Sequence, residues 1–221
     1  KFWSDTMYDM ICTQNDVLRE RFIAGSNLVG KFGFPKLEPI NADVTGLTPV
    51  PFHMANKEKN PRQAVLHCFT EDYRFEGLWK EPLKSIDTLL NFKYVCPCDF
   101  SVYSNMPLVL QIYNVYRDRA IHHFLTCCGV KCIPVVVWSD ERSFDWCFDG
   151  LPQNSTLAVS TNGCHTIRAR EYYKHGFAEM CKWLNPNRVI VVGGKIDVNC
   201  DVEIQYLDGF SQQMKKRMES A

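Results

Sequence analysis

The sequence lacks both a long hydrophobic run and a net charge. Its 221 residues are 46% hydrophobic, yet no stretch approaches the roughly 18 apolar residues of a membrane-spanning helix. The charges of the 25 basic and 25 acidic residues cancel. The chain as a whole therefore lacks the positive electrostatic field of a protein that binds nucleic acid mainly by neutralising phosphates. Residues 1–5 lack the charged and then apolar pattern of a signal peptide. These absences predict a soluble, cytoplasmic protein with no membrane partner.

Motifs for metals and for common cofactors are also missing. The chain has 11 cysteines but no CxxC pair, and several cysteines fall in apolar segments, which favours free thiols in a reducing compartment over disulfides or a metal site. No Walker pattern and no G-x-G-x-x-G occurs, so a standard P-loop or Rossmann dinucleotide site is not expected. The sequence predicts no metal site and identifies neither a cofactor nor an oligomeric state.

The length suits one well-packed domain. Residues 1–28 carry apolar positions at helical spacing and precede a segment rich in glycine and proline. We therefore expect an N-terminal helix and an extended entry segment over residues 1–46, followed by a single α/β domain over residues 47–221.

Short apolar segments alternate with helical patterns over most of the domain. Strands are predicted at 47–53, 64–69, 93–96, 132–138, 156–160, 189–192 and 202–206, and helices at 76–92, 106–128, 141–148 and 168–184. Strands that alternate with helices indicate a mostly parallel sheet covered on both faces. The predicted class is α/β, as an incomplete or distorted (β/α) barrel, with an open doubly wound sheet as the alternative.

The longest helical pattern begins near Met106, with Ser104 and Asn105 as candidate caps and Gly129 at its end. An apolar stripe that includes Val109 and Tyr113 is expected to face the core. Gln111, Asn114 and Asp118 share another face, which is expected to face solvent rather than to serve a function.

Acidic and aromatic residues follow three successive predicted strands. Asp72, Asp99 and Asp140 are the candidate catalytic residues, because carboxyl ends of parallel strands meet at one edge and paired carboxylates can act as nucleophile, acid or base. The competing interpretation is that each aspartate caps the N-terminus of its own helix. Gly193 and Gly194 are candidate phosphate-binding residues, since a late-strand glycine loop often holds phosphate in barrels. The candidate substrate-binding residues are Tyr73, Arg74, Ser101, Tyr103, Asn114, Arg117, Trp138, Arg142 and Asn162.

Four segments of the chain resemble a family of bacteria, phages and mobile elements that is known only as a domain of unknown function. They are EDYRFEGLW at 71–79, DFSVY at 99–103, QIYNVYRDR at 111–119 and FDGLP at 148–152. The family pattern has proline directly before the aspartate of DFSVY, whereas this chain has Cys98 there and Pro97 one place earlier. The resemblance implies no established activity, but the phage association suggests work on nucleotides or nucleic acid in a bacterial host cytosol.

Three functions remain open. The first is an enzyme that acts on a nucleobase, nucleotide or nucleic acid, with Asp72 and Asp99 as the carboxylate pair and aromatic side chains stacking on a planar substrate. The second is a non-catalytic binding protein that sequesters a nucleotide or blocks a host protein. The third is a DNA-binding replication accessory, which would need a basic face that the total charge hides.

Overall fold

Two parallel sheets form the centre of the protein. The computed structural model describes residues 19–219, so most of the predicted N-terminal helix lies outside the described residues. A short antiparallel hairpin comes first, with strands β1 (Leu28–Val29) and β2 (Phe34–Pro35). The first parallel sheet contains β3 (Thr48–Pro51), β4 (Ala64–His67) and β5 (Tyr94–Cys96). The second contains β6 (Thr156–Ser160), β7 (Arg188–Val192) and β8 (Glu203–Leu207).

Within residues 19–219, five α-helices accompany the strands, and they are α1 (Glu76–Lys80), α2 (Ile86–Leu89), α3 (Leu108–Cys127), α4 (Ile167–Leu184) and α5 (Phe210–Glu219). Six 3₁₀ turns occur in the described chain, at Glu20–Ile23, Phe52–Lys57, Pro61–Gln63, Asp72–Arg74, Pro82–Ser85 and Glu141–Ser143. The α/β class with mostly parallel pairing is therefore confirmed.

The predicted strand at 132–138 is not a regular strand. Pro134 has no N–H to donate, and the segment forms only isolated bridges, from Cys132 to Val95 and from Val135 to Ala158. The hydrogen bonds nevertheless run to both sheets. Ile133 N–H donates to Val95 C=O at 2.8 Å, and Val136 N–H donates to Ala158 C=O at 2.9 Å. The segment 131–136 therefore joins the two sheets along one line, although the strands of the described chain do not close into a ring.

Three apolar cores pack against these sheets. One lies between the first sheet and helices α1 to α3, and it includes Leu66 and Val95. Another lies between the second sheet and α4, where Val159 packs near Phe177. The third core draws buried residues from β4 to β8, from segment 133–135 and from the entry segment. The described part of the predicted entry segment thus contributes to the core, where Ala42 is fully buried.

Helix predictions succeeded for long helices and failed for short ones. The helix predicted at 168–184 is confirmed as α4, and Thr166 caps it by accepting the N–H of Ala169 at 3.1 Å. The helix predicted at 76–92 is wrong as a single helix, because Pro82 interrupts it and leaves α1, a 3₁₀ turn and α2. The helix predicted at 141–148 is one 3₁₀ turn. Helix α3 begins after Pro107 without a side-chain cap, so the capping expected of Ser104 and Asn105 is wrong.

Candidate functional site

Asp72 and Asp99 lie at the same edge of the first sheet. Asp72 follows β4 and Asp99 follows β5, and the two strands are parallel neighbours in which His67 pairs with Cys96. Asp72 also reaches across to the chain after β5, because its Oδ1 accepts the hydroxyl of Ser101 at 2.9 Å and its Oδ2 accepts the N–H of Ser101 at 3.2 Å. The parallel register therefore brings these two predicted site residues together.

Asp99 is half-buried, and its carboxyl group accepts no hydrogen bond from any residue in the range 19–219. Burial raises its pKa to about 7, and the negative charge of Asp72 adds to the effect. Burial disfavours a charged carboxylate, and a like charge nearby does the same. Asp99 therefore titrates near neutral pH, which is the condition for a residue that both gives and takes protons.

The polar face of α3 is buried, so the prediction that it faces solvent is wrong. Asn114 and Asp118 are 6% and 2% exposed. Asn114 Nδ2 donates to Ser101 C=O at 2.6 Å, and Asp118 Oδ1 accepts the N–H of Phe100 at 3.0 Å. This face binds the turn that follows β5. Part of the predicted apolar stripe is instead exposed, with Val109 at 69%.

Two further residues of this face hold neighbouring loops. Gln111 Oε1 accepts the hydroxyl of Ser139 at 2.7 Å. The fully buried guanidinium of Arg119 donates to Val135 C=O at 3.1 Å and to Cys147 C=O at 2.8 Å. Burial lowers the pKa of Arg119 to about 10, so the group stays cationic at neutral pH. Arg119 therefore connects α3 to segment 131–136 and to the loop that carries the FDGLP motif.

Arg117 and Arg74 are each bound to a neighbouring glutamate. Arg117 donates to Glu76 Oε2 at 3.2 Å, and its guanidinium carbon lies 3.5 Å from the centre of the Phe100 ring. Arg74 pairs with Glu71 at 2.6 Å. Arg74 follows Asp72 by two residues and Arg117 lies over the ring of Phe100, the residue after Asp99, but both charges already have protein partners.

Asp140 interacts mainly with its own turn. Its Oδ1 accepts the N–H of Arg142 at 3.2 Å, and the Arg142 side chain bonds both carboxylate oxygens, at 3.0 and 2.8 Å. These bonds to Arg142 lower the pKa of Asp140. Arg142 also donates to Ser104 C=O at 2.7 Å, which ties this turn to the loop after β5. The capping interpretation describes the contacts of Asp140, whereas Asp99 caps nothing.

Trp138 packs against α4 rather than presenting a free ring. Its indole N–H donates to Tyr172 C=O at 3.2 Å, and its ring centre lies 5.6 Å from that of Tyr173. A Cβ added to Gly176 would lie 2.1 Å from the indole nitrogen. By contrast, Tyr73, directly after Asp72, and Tyr103, four residues after Asp99, are 73% and 60% exposed. These two rings are available to a planar ligand.

The loops after β6 and β7 are bound to each other. Asn162 Nδ2 donates to Phe69 C=O at 2.8 Å, and Thr161 Oγ1 donates to Gly194 C=O at 2.9 Å. Gly193 has a φ of +124°, and a Cβ there would lie 2.3 Å from Thr161 Oγ1. At Gly194 an added Cβ would meet nothing within 4 Å. Gly194 is thus the open one of the two predicted phosphate-binding glycines.

His67, at the carboxyl end of β4, was not predicted from the sequence. It is fully buried, and neither ring nitrogen has a hydrogen-bond partner among the described residues. Burial lowers its pKa to about 3, so the ring is neutral. The signal that could have indicated it is a histidine at an inward position of a predicted strand that otherwise carries apolar residues.

A cavity of about 480 Å³ lies at the opposite end of the second sheet. Residues 148–153 and 183–184 line it, and these segments precede β6 and β7. The cavity is therefore separate from the carboxylate pair. In the part of the chain that the structure describes, no group of three or more His, Cys, Asp or Glu side chains could hold a metal ion, and no helix could span a membrane.

The fold and site define an α/β protein with mostly parallel sheets and a carboxylate pair at the carboxyl ends of its strands. The chain belongs to the family catalogued as domain of unknown function DUF4417, whose model matches residues 26–208. This match confirms the resemblance seen in the four motifs.

Two curated relatives come from bacteriophages. The gene 1 protein of Mycobacterium phage L5 is 33% identical over 145 residues, which is 65% of this chain and 62% of that protein. The gene 1 protein of Mycobacterium phage D29 is 30% identical over 130 residues, which is 58% of this chain and 48% of that protein. The chain thus matches about half to three-fifths of the length of these relatives. No solved structure is significantly similar to it.

Proposed function

We propose that this protein is a phage-associated enzyme that uses the Asp72–Asp99 pair for acid–base chemistry on a nucleobase, free or within a nucleotide or nucleic acid. The phage relatives support the setting, which would be the cytosol of a bacterial host. The catalytic part of the proposal rests on the carboxylate pair. The proposed substrate is inferred from the exposed aromatic rings and from the phage origin of the two curated relatives.

The observation that carries the proposal is the contrast between the two carboxyl groups. Asp72 is held by two hydrogen bonds from Ser101. Asp99 is free of such bonds, and its pKa is about 7. Two carboxyl groups in different environments can take the separate roles of acid and base in one reaction. Asp99 would exchange the proton, while burial and, to a smaller extent, the charge of Asp72 keep the pKa of Asp99 high.

The aromatic part of the proposed site is Tyr73 and Tyr103. Stacking on an aromatic ring suits any base and contributes about 1–3 kcal/mol per base. Arg74 lies over the ring of Tyr73, with 5.2 Å between its guanidinium carbon and the ring centre, and would reinforce that ring as a stacking surface. Gly194, next to the exposed Lys195, is the proposed phosphate contact.

We also propose that the two sheets form an incomplete (β/α) barrel, whose catalytic residues would follow the carboxyl ends of the strands. The strand order supports this, because β3 to β5 and β6 to β8 are each arranged in sequence order. A doubly wound sheet would reverse its order at a switch point. In this arrangement Asp140 remains a candidate catalytic residue at the same edge. Arg142, which holds Asp140, also bonds to Ser104 in the loop after β5.

The first experiment is a ligand screen. Thermal unfolding would be measured with bases, nucleosides, nucleotides and short DNA and RNA strands, each with and without Mg²⁺. A ligand selective for the folded state raises the unfolding temperature, and the best ligand would then be tested for turnover. We expect a base-containing ligand to stabilise the protein. If every base-containing ligand fails to do so, the nucleobase assignment is wrong.

The second experiment compares Asp99→Asn with Asp87→Asn. Both variants remove one carboxylate charge, but Asp87 is exposed on α2, away from the pair. Asp99→Asn should abolish turnover and leave ligand affinity within a few fold, whereas Asp87→Asn should behave as the wild type does. Ligand binding without turnover by the wild type would favour the sequestering protein. Tight binding of duplex DNA alone would favour the replication accessory.

A further inference from the structure

Asp118 lies directly behind the turn that presents Asp99. It is in the middle of α3 and is 2% exposed. Its Oδ1 accepts the peptide N–H of Phe100, the residue after Asp99, at 3.0 Å. Its Oδ2 is buried and has no hydrogen-bond partner in the part of the chain that the structure describes. An aspartate in this position is unusual, because a buried acidic side chain is costly unless it serves a contact.

Asn114, one helical turn earlier on the same face, holds a peptide group further along the turn. Its side chain donates to Ser101 C=O at 2.6 Å. Helix α3 therefore binds two backbone groups of the turn, the N–H of Phe100 and the C=O of Ser101. Asp72 binds the N–H and the hydroxyl of Ser101 at 3.2 and 2.9 Å. The backbone on the C-terminal side of Asp99 is fixed, while the Asp99 carboxyl group stays free.

We propose that Asp118 is a positioning residue for Asp99: by holding the Phe100 N–H, it keeps the Asp99 carboxyl group half-buried beside Asp72. The inference rests on the proposed function, since it matters for catalysis only if Asp99 is the proton-transferring group. Asp118 would not touch the substrate. Removing it would allow the turn to open and water to reach Asp99.

The charges that face Asp118 are consistent with this role. Burial raises the pKa of Asp118 well above its ordinary value, and the charge of Asp99 raises it further. The N–H of Phe100 and the cations of Arg117 and Arg119 oppose this effect. The thiol of Cys98, which faces Asp118 from the preceding residue of the turn, is buried and its pKa is raised. Asparagine at position 118 keeps one side-chain oxygen that can accept the Phe100 N–H, so it should replace Asp118 well.

The test compares Asp118→Asn with Asp118→Ala in the full chain. Two quantities are measured: the pKa of Asp99, from its ¹³Cγ chemical shift, and the hydrogen exchange rate of the Phe100 amide. Asp118→Asn should leave both near their wild-type values. Asp118→Ala should speed exchange at Phe100 by about tenfold or more and move the pKa of Asp99 towards 3.8, its ordinary value.

Two results would overturn the inference. One is an Asp118→Ala variant that folds and keeps both the Phe100 exchange rate and the Asp99 pKa of the wild type. The other is an Asp118→Asn variant in which the pKa of Asp99 falls towards its ordinary value, and this result counts even if Asp118→Ala fails to fold. An ordinary pKa of Asp99 in the wild type would instead reject the proposed function, while the exchange rate at Phe100 would still report on Asp118 as an anchor.

Discussion

Asp72 and Ser101 are joined by two hydrogen bonds that link the loop after β4 to the loop after β5. Both carboxylate oxygens of Asp72 are used, one by the hydroxyl and one by the N–H of Ser101. The charge of Asp72 is thus fixed in place near Asp99. This link makes Asp72 both a structural contact and an electrostatic neighbour of the proposed acid–base group.

Replacing Asp72 by asparagine should lower the pKa of Asp99. The variant removes the neighbouring negative charge but keeps an oxygen that can accept a bond from Ser101. We expect the pKa to fall by roughly one pH unit or less and to stay above 3.8, because burial is the larger cause. A ¹³C titration of Asp99 measures this, with Asp87→Asn as the control that should leave the value unchanged. An unchanged pKa in Asp72→Asn would show that the two groups do not interact.

The raised pKa of Asp99 should make the protein less stable as pH rises. The pKa of Asp99 is about 7 in the folded protein, against 3.8 for an ordinary aspartate. Between pH 3.8 and pH 7 the native state therefore holds a proton that the unfolded state has lost. Stability therefore falls with increasing pH across this window. Asp99→Asn should remove this contribution and be more stable than the wild type at pH 8, on the order of 2–4 kcal/mol.

Urea unfolding at pH 5 and pH 8 checks this expectation. The difference in stability between Asp99→Asn and the wild type should be larger at pH 8 than at pH 5. The variant Asp87→Asn should show no such pH-dependent difference. If the difference for Asp99→Asn is the same at both pH values, Asp99 does not titrate in this window.

Replacing the buried Arg119 by lysine should destabilise the fold. One ammonium group cannot reach both Val135 C=O and Cys147 C=O as the planar guanidinium does. Buried carbonyls without partners then cost about 2–4 kcal/mol in the free energy of unfolding. The exposed Arg62 gives the matched control, and Arg62→Lys should change stability by less than about 0.5 kcal/mol. Equal effects of the two substitutions would contradict this role of Arg119.

Two helical glycines should respond oppositely to alanine. At Gly176 the new Cβ would collide with the Trp138 ring, whereas at Gly77 it would meet nothing within 4 Å. Gly77→Ala should stabilise by about 0.5–1 kcal/mol through helix propensity. Gly176→Ala should destabilise by about 1–3 kcal/mol and shift the Trp138 indole N–H signal in an NMR spectrum. A stabilising Gly176→Ala would mean that Trp138 moves aside without cost.

Patterns of apolar residues predicted the strands and the long helices well. The four-residue strand at Ala64–His67 and the five-residue strand at Thr156–Ser160 both fall within predicted segments. The prediction of short helices failed, because a few residues give too little periodicity. Prolines also divide such helices, as Pro82 does between α1 and α2. The strand predicted at 132–138 was wrong because Pro134 interrupts regular pairing.

The orientation of α3 was the main error at the site. Its polar stripe was expected to face water, since polar residues on a helix usually do. Their partners are backbone groups of distant loops, such as Phe100 N–H and Val135 C=O, and no local pattern records them. The proximity of Asp72 to Asp99 was easier to predict from the sequence, because both residues follow neighbouring strands and parallel strands end at one edge.

The bonds of segment 131–136 to both sheets have a consequence for folding. Ile133 bonds to the first sheet and Val136 to the second, at positions only three residues apart. The two sheets therefore cannot separate without breaking these backbone hydrogen bonds. We therefore expect the two halves to melt together, with amides of β5 and β6 exchanging by the same global opening. The strand pairing is parallel throughout this region, so it joins residues that are far apart in the sequence. Such contacts form slowly, and we expect slow folding for a protein of this length.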